Sequence, residues 1–421
     1  MNTPALESAA RPRVDFDQHS SEHAADWVSR YQDIRRQSPV AWSDHHGGFW
    51  LVSGYEEACQ VLRDPATFTS GRFLDEAGRL AGGISIPPLP FRLVPTETDM
   101  PEWEATRHIL NRALSPAKVK AFRDKTRAYT AALIDRHIET GAIDLVLDLA
   151  NPLPALMTME LLGLPLDEWQ RFADPFHSFP SNPAGSPERD KAAEEMGWVF
   201  EQIEALVEKR RKDPIDDLTT AIVFAERPEG PYPHAEVVDI LLNVIGGGVD
   251  TTTALTSNAL WHLHRHHDDR RRLIEAPSLL SAAAEEFLRF YTPIQNEART
   301  ASRRCVLGGQ TIEAGDRVLV ALASANRDEH EFEDAGIFRA DRFPNRHAAF
   351  GLGMHRCVGS HLARQMFEEM IMAVLARMPD YAVQELEAER YRGIAAINGW
   401  VRMPARFTPG ERIADEVRLA G

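Results

Sequence analysis

A cysteine stands where a glycine-rich loop turns into a helix. The loop runs Phe350-Gly351-Leu352-Gly353-Met354-His355-Arg356-Cys357-Val358-Gly359 and continues into Ser360-His361-Leu362-Ala363-Arg364. Backbone N–H groups and the positive end of a helix dipole at such a junction favour thiolate over thiol. A thiolate held by amides suits permanent ligation of a haem iron, where it pushes electron density towards O–O cleavage. Gly353 and Gly359 lack a Cβ, which lets the loop lie against a flat macrocycle. Two other roles fit a lone cysteine: a small buried hydrophobe, or a nucleophile with a base and an orienting partner, for which His355 and His361 are the nearest imidazoles.

A second segment combines a hydroxyl, a carboxyl and missing side chains. Ala235 to about His267 reads as one helix of about 30 residues, about 45 Å long. Its middle is Gly246-Gly247-Gly248-Val249-Asp250-Thr251-Thr252-Thr253. Each glycine costs a helix about 1 kcal/mol relative to alanine. One physical reason for three together is a local widening where a small ligand lies against the backbone. The other is a kinked core helix whose Thr hydroxyls bond carbonyls one turn back.

Charged residues supply two further patterns. Glu286 and Arg289 stand at i and i+3 on one helix face, the spacing of an ion pair. Between Arg107 and Arg127, seven basic residues (Arg107, Arg112, Lys118, Lys120, Arg123, Lys125 and Arg127) accompany one acid, Asp124. In a chain of net charge -16 this is a local reversal of sign. It reads as a solvated helix face, or as a docking patch steered to an acidic partner.

The elements that must position these groups are mostly helices. Residues 1–26 are expected as a loosely held tail, and 27–421 as a single domain. Val40–Trp42 and Phe49–Val52 flank a turn. Gly71 to Pro101 is a long Pro/Gly-rich loop expected to be functional, because it carries Phe73, Leu89 and Phe91. Residues from Glu102 to about Ile274 show helical spacing, interrupted by an irregular patch from Phe176 to Pro187. A helix over 278–291 precedes short strands at Cys305–Leu307, Thr311–Ile312 and Arg317–Ala321. Then follow a coil from Asn326 to Phe350, a helix from near Cys357 to about Met378, and a strand pair within Tyr391–Phe407. The fold class is mainly α with a small β region.

Composition narrows the function classes. Net charge -16 disfavours nucleic acid and anionic membrane as partners. Cys59, Cys305 and Cys357 are scattered and odd in number, so no disulfide framework is implied and a reducing, cytoplasmic setting is expected. No run reaches the roughly 18 apolar residues of a membrane span.

The pattern Phe-x-x-Gly-x-x-x-Cys-x-Gly at Phe350, Gly353, Cys357 and Gly359 resembles the haem-binding signature of the cytochrome P450 superfamily. Gly247-Gly248-Val249-Asp250-Thr251-Thr252 resembles its oxygen groove. Glu286 and Arg289, with Arg342 from Phe338-Arg339-Ala340-Asp341-Arg342-Phe343, resemble its buried Glu-x-x-Arg set, which organises the coil beneath the haem. The resemblance spans roughly residues 30–410 and implies the P450 fold, a large helical part plus a minor β part.

It also implies roles. Cys357 ligates the iron of haem b, iron protoporphyrin IX, with Phe350, Gly351, Gly353 and Gly359 shaping the loop. Thr251 hydrogen-bonds dioxygen, Asp250 relays protons, and Gly247 and Gly248 leave space above the iron. His355, Arg299 and Arg107 pair with the haem propionates. Trp103 stands where many bacterial members carry histidine, leaving an indole N–H in place of a cation. The substrate pocket would draw on the 71–100 loop, Phe176–Phe179, Asn243, Gly247, Thr251, Ile294, Gln295, Asn296, Glu297, Ala396 and Ile397. Its substrate is expected to be a medium-sized hydrophobic molecule, terpenoid-like. No flavin or ferredoxin module accompanies the motifs, so a separate ferredoxin and ferredoxin reductase are expected to deliver electrons to a monomer. Arg356 and Arg364 would join the basic docking patch. The rival readings are desaturation, coupling or peroxide-driven chemistry on the same fold, a non-catalytic haem sensor, and a colourless cysteine hydrolase.

Overall fold

The apolar 3.6-residue spacing is realised as helices in the computed structural model, which describes residues 11–75, 77–183 and 185–413. The helices that position the site are α1 (Glu102–Ala113), α2 (Pro152–Leu162), α3 (Trp169–Ser181), α4 (Pro187–Lys212), α5 (His234–Gly248), α6 (Asp250–Arg265), α7 (Leu280–Tyr291) and α8 (Ser360–Arg377). α2 is apolar apart from Thr158 and Glu160, and nearly all of it is buried. α5 and α6 run beside it and contribute Val237, Ile240, Leu241, Leu255 and Leu260 to the same core. Each such side chain adds about 1.5–3 kcal/mol by leaving water.

The single helix expected from Ala235 to His267 is two. α5 ends at Gly248, Val249 interrupts with ψ -74°, and α6 starts at Asp250. The expected irregular patch at Phe176–Pro187 is shorter. α3 continues through Pro175 and Pro180 to Ser181, burying Trp169, Phe172, Ala173 and Phe176. Burial of that face outweighs the proline penalty. The Ser186 hydroxyl then caps α4, accepting from the Arg189 N–H at 3.3 Å, with Pro187 in the first turn.

The main sheet has five strands: β1 (Val40–Ser43), β2 (Phe49–Val52), β3 (Phe68–Thr69), β4 (Glu297–Ala301) and β5 (Arg317–Val320), in spatial order β1-β2-β5-β4-β3. β2 and β5 are parallel, with Leu319 opposite Leu51; the other neighbours are antiparallel, with Val318 opposite Arg299. The sheet thus fixes Arg299.

The stretch expected as a loose tail is held where it is described. Phe16 is fully buried among Tyr31, Phe49 and Leu51, and the Val14 N–H donates to the Trp42 carbonyl at 2.9 Å. Residues 1–10 lie outside the described residues.

The 71–101 segment opens as a hairpin, Arg72–Leu74 paired with Leu80–Gly82. Beyond it, one buried ion pair sets the path. Arg72 Nε donates to Glu97 at 2.8 Å, with both side chains almost wholly enclosed. Arg72 also donates to the carbonyls of Leu89 and Phe91, and Glu97 accepts the N–H groups of Ile84 and Leu93. Gly83, at φ +73°, passes so close that a Cβ would lie 2.3 Å from a Glu97 oxygen.

Candidate active site

The cysteine loop is held from behind. The Cys357 N–H donates to the Phe350 carbonyl at 2.8 Å, and the Arg364 guanidinium lies 4.5 Å over the Phe350 ring. Gly351 and Gly353 take φ +65° and +68°. Gly353 serves a different contact from the one expected of it. A Cβ there would lie 2.4 Å from the Leu62 carbonyl oxygen, so its missing side chain admits the neighbouring backbone. Gly359 stands beside the sulfur, 3.9 Å from where its own Cβ would be.

Cys357 is exposed as a residue, yet its sulfur is surrounded closely enough that burial pushes the thiol pKa up. The Gly359 N–H, Arg107 and Arg356 pull the other way without prevailing. A bound metal cation would favour the thiolate. A cleft of about 230 Å3 lies beside the sulfur, lined by Arg107, Asn111, Leu114, Arg356, Cys357 and His361.

A donor cluster gathers next to this loop. The His355 ring approaches Ser70 Oγ at 3.1 Å and Asp99 at 3.8 Å. Burial alone would raise the Asp99 pKa, but His355 and Thr69 hold it below the usual carboxylate value. Trp103 packs edge-on to His355 with centroids 6.1 Å apart, and Arg107 sits 5.8 Å from the Trp103 ring. Arg107 donates to the Arg356 carbonyl, so α1 is tied directly to the cysteine loop. Trp103 Nε1 is buried with no partner among the described residues. Arg299, 3% exposed, donates to Glu297 at 3.1 Å. An orphaned indole donor and two cationic side chains beside a cysteine loop fit the carboxylates of an iron macrocycle.

The three glycines of the broken helix divide their work. At Gly246 a Cβ would press on Phe176 at 3.2 Å, and at Gly248 it would lie 2.5 Å from Thr158 Oγ1. At Gly247 nothing lies within 4 Å. Gly247 alone opens space; the expectation that Gly248 does so gives way to its packing against α2. Thr251 Oγ1 donates to the Gly247 carbonyl at 2.9 Å, across the interruption at Val249.

Asp250 is 1% exposed and belongs to a cluster that no motif foreshadowed. Its Oδ1 accepts from Tyr391 OH at 2.6 Å and lies 2.8 Å from His177 Nδ1. Its Oδ2 is buried without a partner.

Glu286 is fully buried and accepts from Arg289 at 2.8 Å, from Arg342 at 3.0 and 3.1 Å, from Asn345 at 3.1 Å and from the Arg339 N–H at 2.9 Å. Arg289 adds bonds to the carbonyls of Asn326 and Ala335, binding the coil to α7.

The basic run is neutralised in its second half only: Arg123 and Arg127 pair with Glu369 and Lys125 with Glu160, while Arg364 pairs with Glu285. Arg112, Lys118, Lys120 and Arg356 are exposed, and no ion pair to them occurs among the described residues. Gln295 and Asn296 turn inward. The Gln295 amide donates to the Thr292 carbonyl, and Asn296 bonds Tyr31 OH and the Ala395 carbonyl. Both brace chain segments, and Gln295 Oε1 is buried without a partner among the described residues. Asn243 is tied to Thr96 and the Val94 carbonyl, joining α5 to the 71–101 segment. Ile294 bridges Ile397, and Ala396 is exposed beside it.

The family model for cytochrome P450 matches residues 167–379. A cytochrome P450 of Bacillus subtilis is 30% identical over 86% of this chain and 88% of its own length. Linalool 8-monooxygenase of Pseudomonas putida is 32% identical over 82% and 87%. Among solved structures, a Mycobacterium marinum cytochrome P450 in complex with pseudoionone covers 95% of this chain and 100% of its own, with TM-score 0.86 and 25% identity. A Bacillus megaterium relative in complex with testosterone gives TM-score 0.81 and 27% identity over 92% and 99%. The cysteine loop, the broken helix and the buried Glu286 set therefore sit in a fold shared along almost the whole chain, and this protein belongs to the cytochrome P450 family as a monooxygenase.

Proposed function

We propose that this chain uses haem b to insert one oxygen atom from dioxygen into a C–H bond of a medium-sized, terpenoid-like molecule, with electrons from a separate ferredoxin and its reductase. The observation that carries the reading is the interruption at Val249, where Gly247 is open and the Thr251 hydroxyl reaches back to its carbonyl. The overall balance is R–H + O2 + 2e− + 2H+ giving R–OH + H2O. When bound, the haem supplies the reduction of dioxygen and the oxidising power for C–H attack.

The protein's own residues would do the rest. Cys357 would hold the iron through its sulfur, while Arg107, His355, Arg299 and the Trp103 indole N–H would hold the macrocycle's carboxylates. Phe350 and Gly351 keep the loop in shape. Gly247 leaves room above the macrocycle, and Thr251 orients the hydrogen bond through which a proton arrives. Asp250 supplies that proton, and Glu286, Arg289 and Arg342 keep the coil in place. The 71–101 segment, Phe176, Asn243, Ile294, Ala396 and Ile397 are the candidates for substrate contact. The names of two similar proteins, carrying linalool and pseudoionone, support an isoprenoid substrate. Arg112, Lys118, Lys120 and Arg356 are the positive groups left to attract an acidic ferredoxin.

The test is reconstitution with a surrogate ferredoxin and reductase, after a terpenoid screen for the spin shift that follows loss of iron-bound water. Under isotopically labelled dioxygen the product should gain one labelled atom. A product that has lost two hydrogens and carries no label would favour desaturation. Haem that binds ligands but never consumes NADH would favour a sensor.

A further inference from the structure

Asp250 is held by two residues that no motif places near it. His177 comes from α3 and Tyr391 from the segment before the last strands. His177 Nδ1 lies 2.8 Å from Asp250 Oδ1, and its Nε2 lies 3.2 Å from the Val401 carbonyl. A carbonyl oxygen only accepts, so Nε2 carries a proton. The 2.8 Å contact between Nδ1 and Oδ1 holds one proton, and on Nδ1 it makes the ring an imidazolium. If that proton crosses to Oδ1, the ring becomes the neutral Nε2–H tautomer, and Tyr391 OH, 2.9 Å from Nδ1 and 2.6 Å from Oδ1, can bond either partner. The trio holds one mobile proton in a buried site.

The charges facing His177 favour its cationic form. Asp250 on α6 and Asp174 on α3 raise its pKa, as does the Val401 carbonyl; burial is the largest influence and opposes them, but the net direction is upward. Tyr391 packs edge-on to the ring, 5.5 Å between centroids. Its hydroxyl titrates far above the usual tyrosine value because it is buried beside Asp250, so at neutral pH it serves only as a hydroxyl.

We propose that His177, steadied by Tyr391, is the positioning residue and immediate proton donor of Asp250. This rests on the reading of Asp250 as the groove's proton source. The two bonds on Oδ1 hold Asp250 in place and leave Oδ2 unpartnered. The Nδ1–H bond breaks as an Oδ1–H bond forms, and a half-turn of the carboxyl group about Cβ–Cγ carries that O–H to the unpartnered side, from which Asp250 delivers it. His177 is left neutral and regains a proton from solvent water.

The holoenzyme, reconstituted with surrogate redox proteins, tests this through His177→Gln, His177→Phe, Tyr391→Phe and Asp250→Asn. In the wild type, product formed per NADH should fall as pH rises through the His177 titration. His177→Gln keeps an N–H donor without a titrating charge, so its coupling should be lower and flat with pH. His177→Phe should lose coupling by about tenfold or more, and Tyr391→Phe, which removes the second bond on Oδ1, should lose less. Ring resonances of the reduced, carbon-monoxide-bound protein give a readout independent of turnover. His177 should stay doubly protonated above the ordinary histidine range, and Asp250→Asn should abolish that.

The proposal is overturned if His177→Gln leaves coupling, its pH profile and the solvent isotope effect unchanged while Asp250→Asn impairs all three. Singly protonated His177 at neutral pH overturns it as well. Unchanged coupling in Asp250→Asn would instead remove the parent reading of Asp250, whatever the resonances show. Should His177→Phe fail to fold, the Gln variant and the resonances still decide.

Discussion

The Thr251 hydroxyl donates to the Gly247 carbonyl at 2.9 Å, spanning Val249, where α5 ends and the backbone reaches ψ -74° before α6 begins. The bond parks the hydroxyl beside the open face of Gly247. Thr251→Ala removes the hydroxyl without filling that space. Haem content and substrate-induced spectral shifts should be unchanged, while product formation falls by about 100-fold. NADH consumption should continue, with the missing equivalents recovered as hydrogen peroxide. Parallel assays of NADH, peroxide and product check this; unchanged coupling would remove Thr251 from the proton path.

Cys357→Ala leaves the loop its backbone bond to Phe350 but removes the sulfur. The reduced, carbon-monoxide-treated variant should lack the far-red-shifted main absorption band of thiolate-ligated haem, which the wild type should display.

Trp103→Phe deletes a buried N–H that has no protein partner and keeps the ring's packing. If that N–H meets a haem carboxylate, the variant should lose haem to apomyoglobin several-fold faster, in line with about 0.5–1.5 kcal/mol for one hydrogen bond. An unchanged transfer rate would leave the carboxylates to Arg107, His355 and Arg299.

Arg342→Ala strips one cation from the buried Glu286 set and leaves the carboxylate short of a partner. Destabilisation of about 3–5 kcal/mol is expected, read as a lower urea midpoint. Glu286→Gln should behave similarly by stranding two guanidinium groups.

Acid sensitivity should trace to Glu285, which accepts from Arg364 at 2.5 and 2.7 Å and from His347 at 3.1 Å. Burial works to raise its pKa, but the bonds from Arg364 and His347 prevail and draw it down to about 2, from an ordinary value of 4.5. A carboxyl whose folded pKa is depressed contributes stability above its unfolded value and loses that contribution as pH falls towards the folded one. Between pH 4.5 and 2, wild-type melting temperature should therefore fall more steeply than that of Glu285→Gln. Parallel slopes would show that the pair contributes nothing to acid stability.

What the sequence displays and what it hides follow a physical division. Cys357, Thr251 and the Glu286–Arg289 spacing are legible because local geometry restricts which residues can stand there. The three adjacent glycines signal a special helix, but only packing tells Gly248, pressed on Thr158, from the open Gly247. Gly353 likewise answers to the Leu62 backbone, a contact no local pattern encodes. His177 and Tyr391 lie 73 and 141 residues from Asp250, and each looks like an ordinary aromatic side chain on its own segment. The basic run at 107–127 reads as one patch because the string shows only one member of each pair; Glu160 and Glu369 arrive from other helices. The proline-bearing α3 was legible as a break, since propensity does not report the apolar face it buries.

The enclosed Arg72–Glu97 pair has a bearing on attempts to retune selectivity. Its two members stand at opposite ends of the stretch, and the carbonyls and N–H groups between them converge on that single knot. Grafting a partial segment from another homologue would separate the pair and leave an uncompensated charge indoors. Recombination libraries should therefore exchange 72–97 as one indivisible module, or keep both ends and diversify only the outward-facing positions.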